Sequence, residues 1–310
     1  MLNYNSAAEL RYFLEKEKLG MQKKFGQNFL INPKIRENLV NALGANSGDE
    51  VWEIGPGLGA MTVLMLEKGL YVKAFEIDLG FIRVLKEIFS EYKKFILVEG
   101  DALKTWQTQI IPCEKPRFSA AENSSQAAPF LLGNLPYNIA AALLADFIEK
   151  GQIFSRMVVT VQKEVAQRMT ANAGTKDYSS FSVLCASVYN VKPLMLIRSS
   201  SFFPQPNVDS MGVLLEKKNE INCEYPHFFY SLVRSLFASR RKTVKNNLLT
   251  FLSSCLGGQN LNIQDACSSI LSENAINVNE RAENLHIDVF ISLAKTIENM
   301  RLLRGDVNCR

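Results

Sequence analysis

The sequence predicts an α/β protein in which a doubly wound, Rossmann-like sheet is followed by a small all-helical domain. Seven short apolar runs of strand length recur along the first two-thirds of the chain. Helical patterns separate most of these runs, and strands that alternate with helices form parallel βαβ units. After about Lys218 the sequence keeps a helical periodicity but shows no further convincing strand. We therefore expect one seven-stranded sheet with a helical region after it.

The individual elements follow from the spacing of apolar residues. The strand candidates are 51–55, 71–78, 95–99, 130–133, 157–162, 194–198 and 211–215. The helical candidates are 60–68, 79–90, 138–150, 163–170 and 180–190. We expect two domains, residues 1–218 and residues 219–310. A polar, Ala/Ser-rich stretch from Pro112 to Pro129 is typical of a solvated surface insertion.

Composition narrows the possible chemistry. The chain has 310 residues, of which 47% are apolar, enough for a substantial core. Its net charge of +4 is mild, so nucleic-acid binding must be argued from where the cations lie. Six scattered cysteines without a C-x-x-C pair indicate reduced thiols rather than disulfides or a zinc site. The only two histidines, His227 and His286, lie in the last third, which disfavours Ser-His hydrolases and His-metal enzymes if the site lies earlier.

The sequence also bears on where the protein acts. Its N-terminus lacks the basic-then-apolar pattern of a signal peptide. No uncharged apolar run reaches the roughly 18 residues of a membrane span. We therefore expect a cytoplasmic monomer that uses neither a membrane nor a metal.

A glycine-rich loop ends the first predicted strand and opens a helix. It reads Glu-Ile-Gly-Pro-Gly-Leu-Gly, with glycines at Gly55, Gly57 and Gly59 and Pro56 between the first two. Glycines let a backbone turn tightly and approach a ligand closely. The G-x-G-x-G spacing differs from the G-x-G-x-x-G of nicotinamide binding and suits a nucleoside with a methionine tail better than a pyrophosphate. The alternative is an ordinary strand–helix turn.

Two acidic residues end the next two predicted strands. Glu76 follows Gly59 by 17 positions, where a carboxylate can accept hydrogen bonds from both ribose hydroxyls. Asp101 ends the third strand and could accept a hydrogen bond from an adenine amine. Either residue alone is more often a solvated charge at a strand end. Because the carboxyl ends of parallel strands meet at one edge, the three positions together favour a cofactor site.

The fourth predicted strand ends in Asn134-Leu135-Pro136-Tyr137. An aromatic amine is a poor nucleophile, because its lone pair is delocalised into the ring. Acceptors aimed at its two N–H groups, here the Asn134 side-chain oxygen and the Leu135 carbonyl, would direct the lone pair at a methyl group and stabilise the developing positive charge. Pro136 would fix the backbone, and Tyr137 would stack on an extruded base. The alternative is an Asn-x-Pro turn with a buried tyrosine.

With these motifs in place, the chain resembles the ribosomal RNA adenine dimethyltransferase family, whose members carry the seven-stranded sheet of S-adenosylmethionine-dependent methyltransferases. Further segments resemble the family: Lys24–Leu30 (KFGQNFL), Gln162–Arg168 and Phe202–Ser210, the last similar to F-x-P-x-P-x-V-x-S. The resemblance implies that Phe202 stacks on the face of the target adenine opposite Tyr137. The cofactor contacts that it implies are Asn28, Leu30, Gly55, Glu76, Asp101 and Asn134, beside Gly57 and Gly59 of the loop.

Two C-terminal segments are similar to the small-subunit enzymes within that family. Phe237–Leu248 places Arg240, Arg241, Lys242 and Lys245 within six residues, and Arg281–Leu285 is similar to R-A-E-x-L. The resemblance implies that the four cations bind RNA. A solvated helix face is the alternative for such a charge run.

The resemblance implies a substrate and leaves rivals open. It implies dimethylation of two adjacent adenosines in the 3′-terminal hairpin loop of small-subunit ribosomal RNA, on an assembling subunit, with S-adenosylmethionine as methyl donor. One rival is the same chemistry on large-subunit RNA or on DNA. Another is an RNA-binding assembly or transcription factor that has kept the fold without turnover.

Overall fold

The computed structural model describes residues 2–20, 27–109, 129–219, 226–256 and 262–302. Within these ranges the chain forms two sheets. The strands of the larger sheet are β2 Glu50–Ile54, β3 Tyr71–Glu76, β4 Phe95–Glu99, β5 Phe130–Asn134, β6 Arg156–Gln162, β7 Tyr189–Ile197 and β9 Ser210–Lys217. The smaller sheet pairs β1 Phe29–Leu30 with β8 Phe202–Phe203. Most of the Pro112–Pro129 stretch lies outside the described residues, as do the first residues of the KFGQNFL motif.

The helices often begin at a side chain that caps their free N–H groups. They are α1 Ala7–Lys16, α2 Pro33–Ala42, α3 Thr62–Glu67, α4 Leu79–Ile88, α5 Ala102–Thr105, α6 Ala140–Glu149, α7 Lys163–Met169, α8 Ser180–Val188, α9 Pro226–Phe237, α10 Val244–Leu256, α11 Ile263–Glu273 and α12 Ile287–Leu302. The side chain of Asn32 accepts the Ile35 N–H at 3.2 Å, with Pro33 at the first helical position of α2. Asp78 caps α4 by accepting the Gly80 N–H at 2.9 Å.

The larger sheet has the strand order β4-β3-β2-β5-β6-β9-β7. The five strands from β4 to β6 are parallel, and β9 runs antiparallel to both of its neighbours. The predicted α/β class and the seven strands are confirmed. The chain builds outward from β2 to β4 and then returns to place β5 beside β2. This reversal creates a topological switch point at the carboxyl ends of β2 and β5, where open α/β sheets bind ligands.

Several elements differ from the sequence-based prediction. β7 begins at Tyr189 rather than at 194, because α8 runs directly into the strand with no turn residue between them. Pro193 further disguises the strand, and it is tolerated there because β7 is an edge strand with a register shift at that point. Helices α1 and α2 and the β1–β8 pair were not predicted.

Both faces of the larger sheet are covered. On one face, Leu39 of α2, Met65 of α3 and Leu85 of α4 belong to one buried cluster. On the other face, α6 and α8 pack on the sheet, and the apolar cluster continues without a break into α9–α12. The described chain after Lys217 is helical, as predicted, whereas the division into two domains stays a prediction.

Candidate active site

The glycine-rich loop joins β2 to α3 at the switch point. Gly55, Gly57 and Gly59 have φ values of 68°, 59° and 88°, which favour glycine. A Cβ atom on Gly57 would also come within 3.0 Å of the Phe29 ring. The Gly55 N–H donates to the Phe75 carbonyl at 3.0 Å, which extends the β2–β3 ladder into the loop. The loop therefore holds a conformation that other residue types would strain.

A cleft of about 300 Å³ opens beside this loop, at the carboxyl ends of β2 to β5. Its walls come from four predicted motifs that are distant in sequence, and one helix adds a residue that was not predicted. The lining includes Asn28, Leu30, Arg36, Gly55, Gly57, Glu76, Asp101, Asn134 and Pro136. The structure thus brings together most of the predicted cofactor residues. The roles assigned to them stay predictions.

Glu76 is buried at the end of β3 and is held by backbone groups. Its Oε1 atom accepts the Ile77 and Asp78 N–H groups, both at 2.9 Å, and its Oε2 atom accepts the Gly57 N–H at 3.3 Å. Burial raises the pKa of Glu76 to about 7, although these hydrogen bonds act in the opposite direction. The carboxylate therefore ties β3 to the glycine loop and carries a charge that changes near neutral pH.

Asp101 lies at the far edge of the cleft, beyond β4. Its Oδ1 atom accepts the Leu103 N–H at 3.0 Å and caps the short helix α5. One carboxylate oxygen is thus used for capping while the residue still lines the cleft. This double use combines the predicted site role with the ordinary role of an acidic residue at a helix start.

Asn134 has a defined orientation at the end of β5. Its Nδ2 atom donates to the Asn28 carbonyl at 2.7 Å, across 106 positions of sequence. Because an amide must donate from nitrogen, this bond assigns Oδ1 as the remaining acceptor. Pro136 also lines the cleft, and Leu135 is buried with its N–H bonded to the Thr160 carbonyl at 3.1 Å. The two predicted motifs that contain Asn28 and Asn134 are therefore joined directly.

Tyr137 follows at the mouth of the site. Its ring is only partly buried, and its hydroxyl shares a 2.6 Å hydrogen bond with the hydroxyl of the fully buried Ser210. Ser210 is the last residue of the F-x-P-x-P-x-V-x-S segment and the first residue of β9. This contact between the NLPY turn and that segment has no local sequence signal.

Phe202 is placed differently from its predicted role. Its side chain is 3% exposed and packs in the core with Leu30, its partner in the β1–β8 pair. Successive side chains of a strand point to opposite faces, so Phe202 points inward and Phe203 points outward. The outer ring lies 5.5 Å from the Arg11 guanidinium. In this arrangement Phe202 offers no free ring face, so the predicted stacking on a base is not supported without a movement of β8.

Arg36 is a cleft residue that the sequence-based prediction missed. It lies on α2 with Leu39 and Val40, on the buried face of the helix, and its side chain is 5% exposed. It donates to the Leu30 carbonyl at 2.6 Å, to the Tyr4 carbonyl at 3.3 Å and to the Asn5 side chain. The available signal was an arginine on the apolar face of a helix, where a charge is seldom buried unless it is paired.

The two C-terminal motifs meet through an ion pair. Arg240 contacts Glu283 of the R-A-E-x-L segment at 2.7 Å and donates to the Lys176 carbonyl at 3.0 Å. Arg240 therefore has a structural role that was not predicted. The other three predicted RNA-binding cations have no ion-pair partner among the described residues: Arg241, Lys242 and Lys245.

Two general features concern the described ranges alone. None of their helices has the length and apolar character needed to cross a membrane. No group of three or more His, Cys, Asp or Glu side chains lies close enough together in those ranges to hold a metal ion.

Comparison with known proteins gives a consistent result. The profile of the family described as "Ribosomal RNA adenine dimethylase" matches residues 19–298. "Ribosomal RNA small subunit methyltransferase A" from Treponema denticola is 46% identical over 302 residues, covering 96% of this chain and 97% of the relative. The protein of that name from Borreliella burgdorferi is 36% identical, covering 96% of this chain and 95% of the relative. The crystal structure of a dimethyladenosine transferase from Plasmodium falciparum has a TM-score of 0.69 and 27% identity, covering 86% of this chain and 96% of that one.

Proposed function

Because this chain belongs to the ribosomal RNA adenine dimethylase family, we propose that it transfers methyl groups from S-adenosylmethionine to the N6 atoms of two adjacent adenosines in the 3′-terminal hairpin loop of small-subunit ribosomal RNA. The names of the relatives that match almost the whole chain support the small subunit over the large one. We further propose that the substrate is an immature subunit in the cytoplasm and that the enzyme acts as a monomer.

The residues of the cleft fit the proposed cofactor. The buried Glu76 carboxylate would accept the ribose hydroxyls, and Asp101 at the neighbouring strand end would accept the adenine amine. The Gly55–Gly59 loop leaves its backbone open to close approach by the middle of the molecule. When bound, the cofactor supplies a methyl group on a positively charged sulfur. Asn28 and Leu30 would complete the wall opposite the acidic residues.

One observation carries the catalytic proposal: the Asn134 Nδ2 atom donates to the Asn28 carbonyl at 2.7 Å. This bond holds Oδ1 as an acceptor beside the cleft. Together with the Leu135 carbonyl, that oxygen would accept hydrogen bonds from the adenine amine and direct its lone pair along the line of transfer. Such fixed acceptors stabilise charge that develops in the transition state. Correct positioning supplies the remaining acceleration, and no covalent intermediate on the protein is expected.

Tyr137 would hold the extruded base by stacking. Its partly exposed ring follows the NLPY turn directly, while its hydroxyl is anchored on Ser210. Base–aromatic stacking is worth about 1–3 kcal/mol. The second face of the base requires another group, because Phe202 is buried.

The experiment is single-turnover transfer of a tritiated methyl group to immature small subunits, followed by digestion to nucleosides. The expected product is N6,N6-dimethyladenosine from the small subunit alone, with large subunits and duplex DNA unlabelled. Asn134→Ala is expected to slow the chemical step by roughly two to three orders of magnitude while remaining folded. Methylation of large subunits or DNA would identify a rival substrate. Turnover at the wild-type rate in Asn134→Ala would contradict the acceptor mechanism.

A further inference from the structure

We infer that Arg36 binds the α-carboxylate of the methionine portion of the cofactor and so forms the anion-binding end of the cleft. This inference rests on the proposed function, since it assigns one further contact to the same cofactor. It adds a charged residue to a set of predicted contacts that otherwise contains only acidic and neutral groups.

The first argument is that Arg36 is a buried cation without a matching anion. Its side chain is 5% exposed, and within the described ranges no carboxylate lies at ion-pair distance. Glu37 affects it at longer range, but that side chain is exposed to solvent. The three acceptors that Arg36 contacts are two backbone carbonyls and one side-chain amide, all neutral. A buried charge is costly unless an opposite charge compensates it.

The guanidinium also has unused hydrogen-bonding capacity. Its Nε atom is buried and has no hydrogen-bond partner. A guanidinium carries five N–H donors in a fixed planar fork that matches the two oxygens of a carboxylate. A carboxylate ligand would therefore supply both the missing charge and a missing acceptor.

The second argument is the position of Arg36 in the cleft. It lines the same cavity as Glu76 and Asp101 but comes from α2, which packs against α3 and β6 rather than against the β3–β4 side. The two acidic residues lie at the ends of β3 and β4, where the adenosine would bind. S-adenosylmethionine has one anionic group, which is the carboxylate at the end of the chain away from the adenosine. That group would be repelled by the acidic end and attracted by Arg36.

The guanidinium is held by a segment that precedes the family match. Its contacts Tyr4 and Asn5 lie before residue 19, where that match begins. The Tyr4 hydroxyl in turn donates to the Leu58 carbonyl in the glycine-rich loop at 2.9 Å. The N-terminal segment thus positions Arg36 and the loop together, which makes Asn5 a positioning residue for the same contact.

The test uses calorimetric binding to the full chain with two ligands, S-adenosylmethionine and its decarboxylated analogue. The wild-type protein is expected to bind the analogue roughly tenfold to hundredfold more weakly. Arg36→Gln should lose a similar factor for S-adenosylmethionine and almost nothing for the analogue. Lys34→Gln, which removes an exposed cation from the same helix, is the matched control and should change neither affinity.

Two outcomes would overturn the assignment. Equal binding of both ligands by the wild-type protein would show that the carboxylate is not recognised. An equal loss for both ligands in Arg36→Gln would show that the arginine only supports the structure. If Arg36→Gln does not fold, Arg36→Lys should narrow the difference between the ligands, and an unchanged difference would overturn the inference. Failure of the wild-type protein to bind either ligand would instead contradict the proposed function.

Discussion

The hydroxyl groups of Tyr137 and Ser210 lie 2.6 Å apart and join the turn after β5 to the first residue of β9. Ser210 is fully buried, whereas the Tyr137 ring is only partly buried. The bond therefore anchors a ring that must remain accessible to a base. It makes the tyrosine hydroxyl part of the geometry, whereas a stacking role alone would require only the ring.

Tyr137→Phe is therefore expected to lose activity moderately, and Tyr137→Ala to lose more. The phenylalanine keeps the stacking face but leaves the buried Ser210 hydroxyl without its partner, at a stability cost of about 1–3 kcal/mol. The measurement is thermal unfolding together with single-turnover methylation. Ser210→Ala combined with Tyr137→Phe should recover part of the lost stability, because both polar partners are then absent. A double variant whose losses simply add would show that the two hydroxyls are not coupled.

Cofactor affinity is expected to depend on pH through Glu76. Burial raises its pKa to about 7 in the free protein, with the neighbouring Asp78 adding to the effect. Ribose hydroxyls and the positive sulfur of the cofactor favour the ionised form, so binding should lower this pKa and release a proton. The affinity should then be constant above pH 7 and fall by up to about tenfold per unit below it.

Calorimetry in two buffers of different ionisation enthalpy measures the released proton directly. Glu53→Gln is the matched control, because it removes the other buried carboxyl near the loop and should leave the proton release intact. Proton release that disappears in this control would assign the titration to Glu53 and leave Glu76 ionised throughout.

Stability should also fall as pH rises, and here Glu53 is responsible. Its side chain is fully buried, with Oε2 accepting the Thr62 hydroxyl at 2.6 Å and Oε1 unpartnered. Burial raises its pKa from 4.5 to about 8, against the opposing Thr62 hydrogen bond. A raised carboxyl pKa means that the stability is fully present below pH 4.5 and is lost as pH rises through 8.

Glu53→Gln is expected to unfold at a higher temperature than wild type at pH 9 and at a similar temperature at pH 5. The difference at high pH should be on the order of 1–3 kcal/mol, because glutamine keeps an acceptor for Thr62 without a buried charge. The comparison is thermal unfolding at both pH values. Parallel pH profiles for the two proteins would show that Glu53 does not ionise in this range.

The parts of the site that the sequence predicted are those with a local signal. Gly55, Glu76, Asp101 and Asn134 all follow apolar strand-length runs, and parallel strands bring such ends to one edge. Their grouping around a single cleft follows from the strand order, which alternation of strands and helices made predictable.

The remaining features depend on contacts between distant segments. The pairing of β1 with β8 turns Phe202 into the core, and each of these strands has only two residues, too few for a periodic pattern. Arg36 interrupts the apolar face of α2, so α2 itself was missed as well as its role. Glu283 and Arg240 are 43 positions apart, and only the packing of α9 against the 3₁₀ turn at Ala282–Asn284 brings them together.

That ion pair divides the predicted RNA-binding cations into two kinds. Arg240 is bound by Glu283 and by the Lys176 carbonyl, so its loss should affect folding first. Its side chain is half exposed, which limits the expected stability loss to at most about 1 kcal/mol. Glu283→Gln should lose the same amount, and the double variant should lose little more than either single one.

The three cations without an ion-pair partner in the described ranges, Arg241, Lys242 and Lys245, should instead act on RNA affinity. Replacing all three with glutamine is expected to weaken binding to small subunits without changing the unfolding temperature. Each lost phosphate contact releases fewer counterions, so the slope of log affinity against log salt should become shallower by about 2–3. Filter binding across a salt series measures both quantities, with Arg240→Gln as the matched single-charge control. An unchanged slope in the triple variant would mean that these side chains form only a solvated helix face and that RNA docks elsewhere. A slope that changes as much in Arg240→Gln alone would mean that the ion pair with Glu283 opens when RNA binds, because a cation held by a carboxylate releases no counterion of its own.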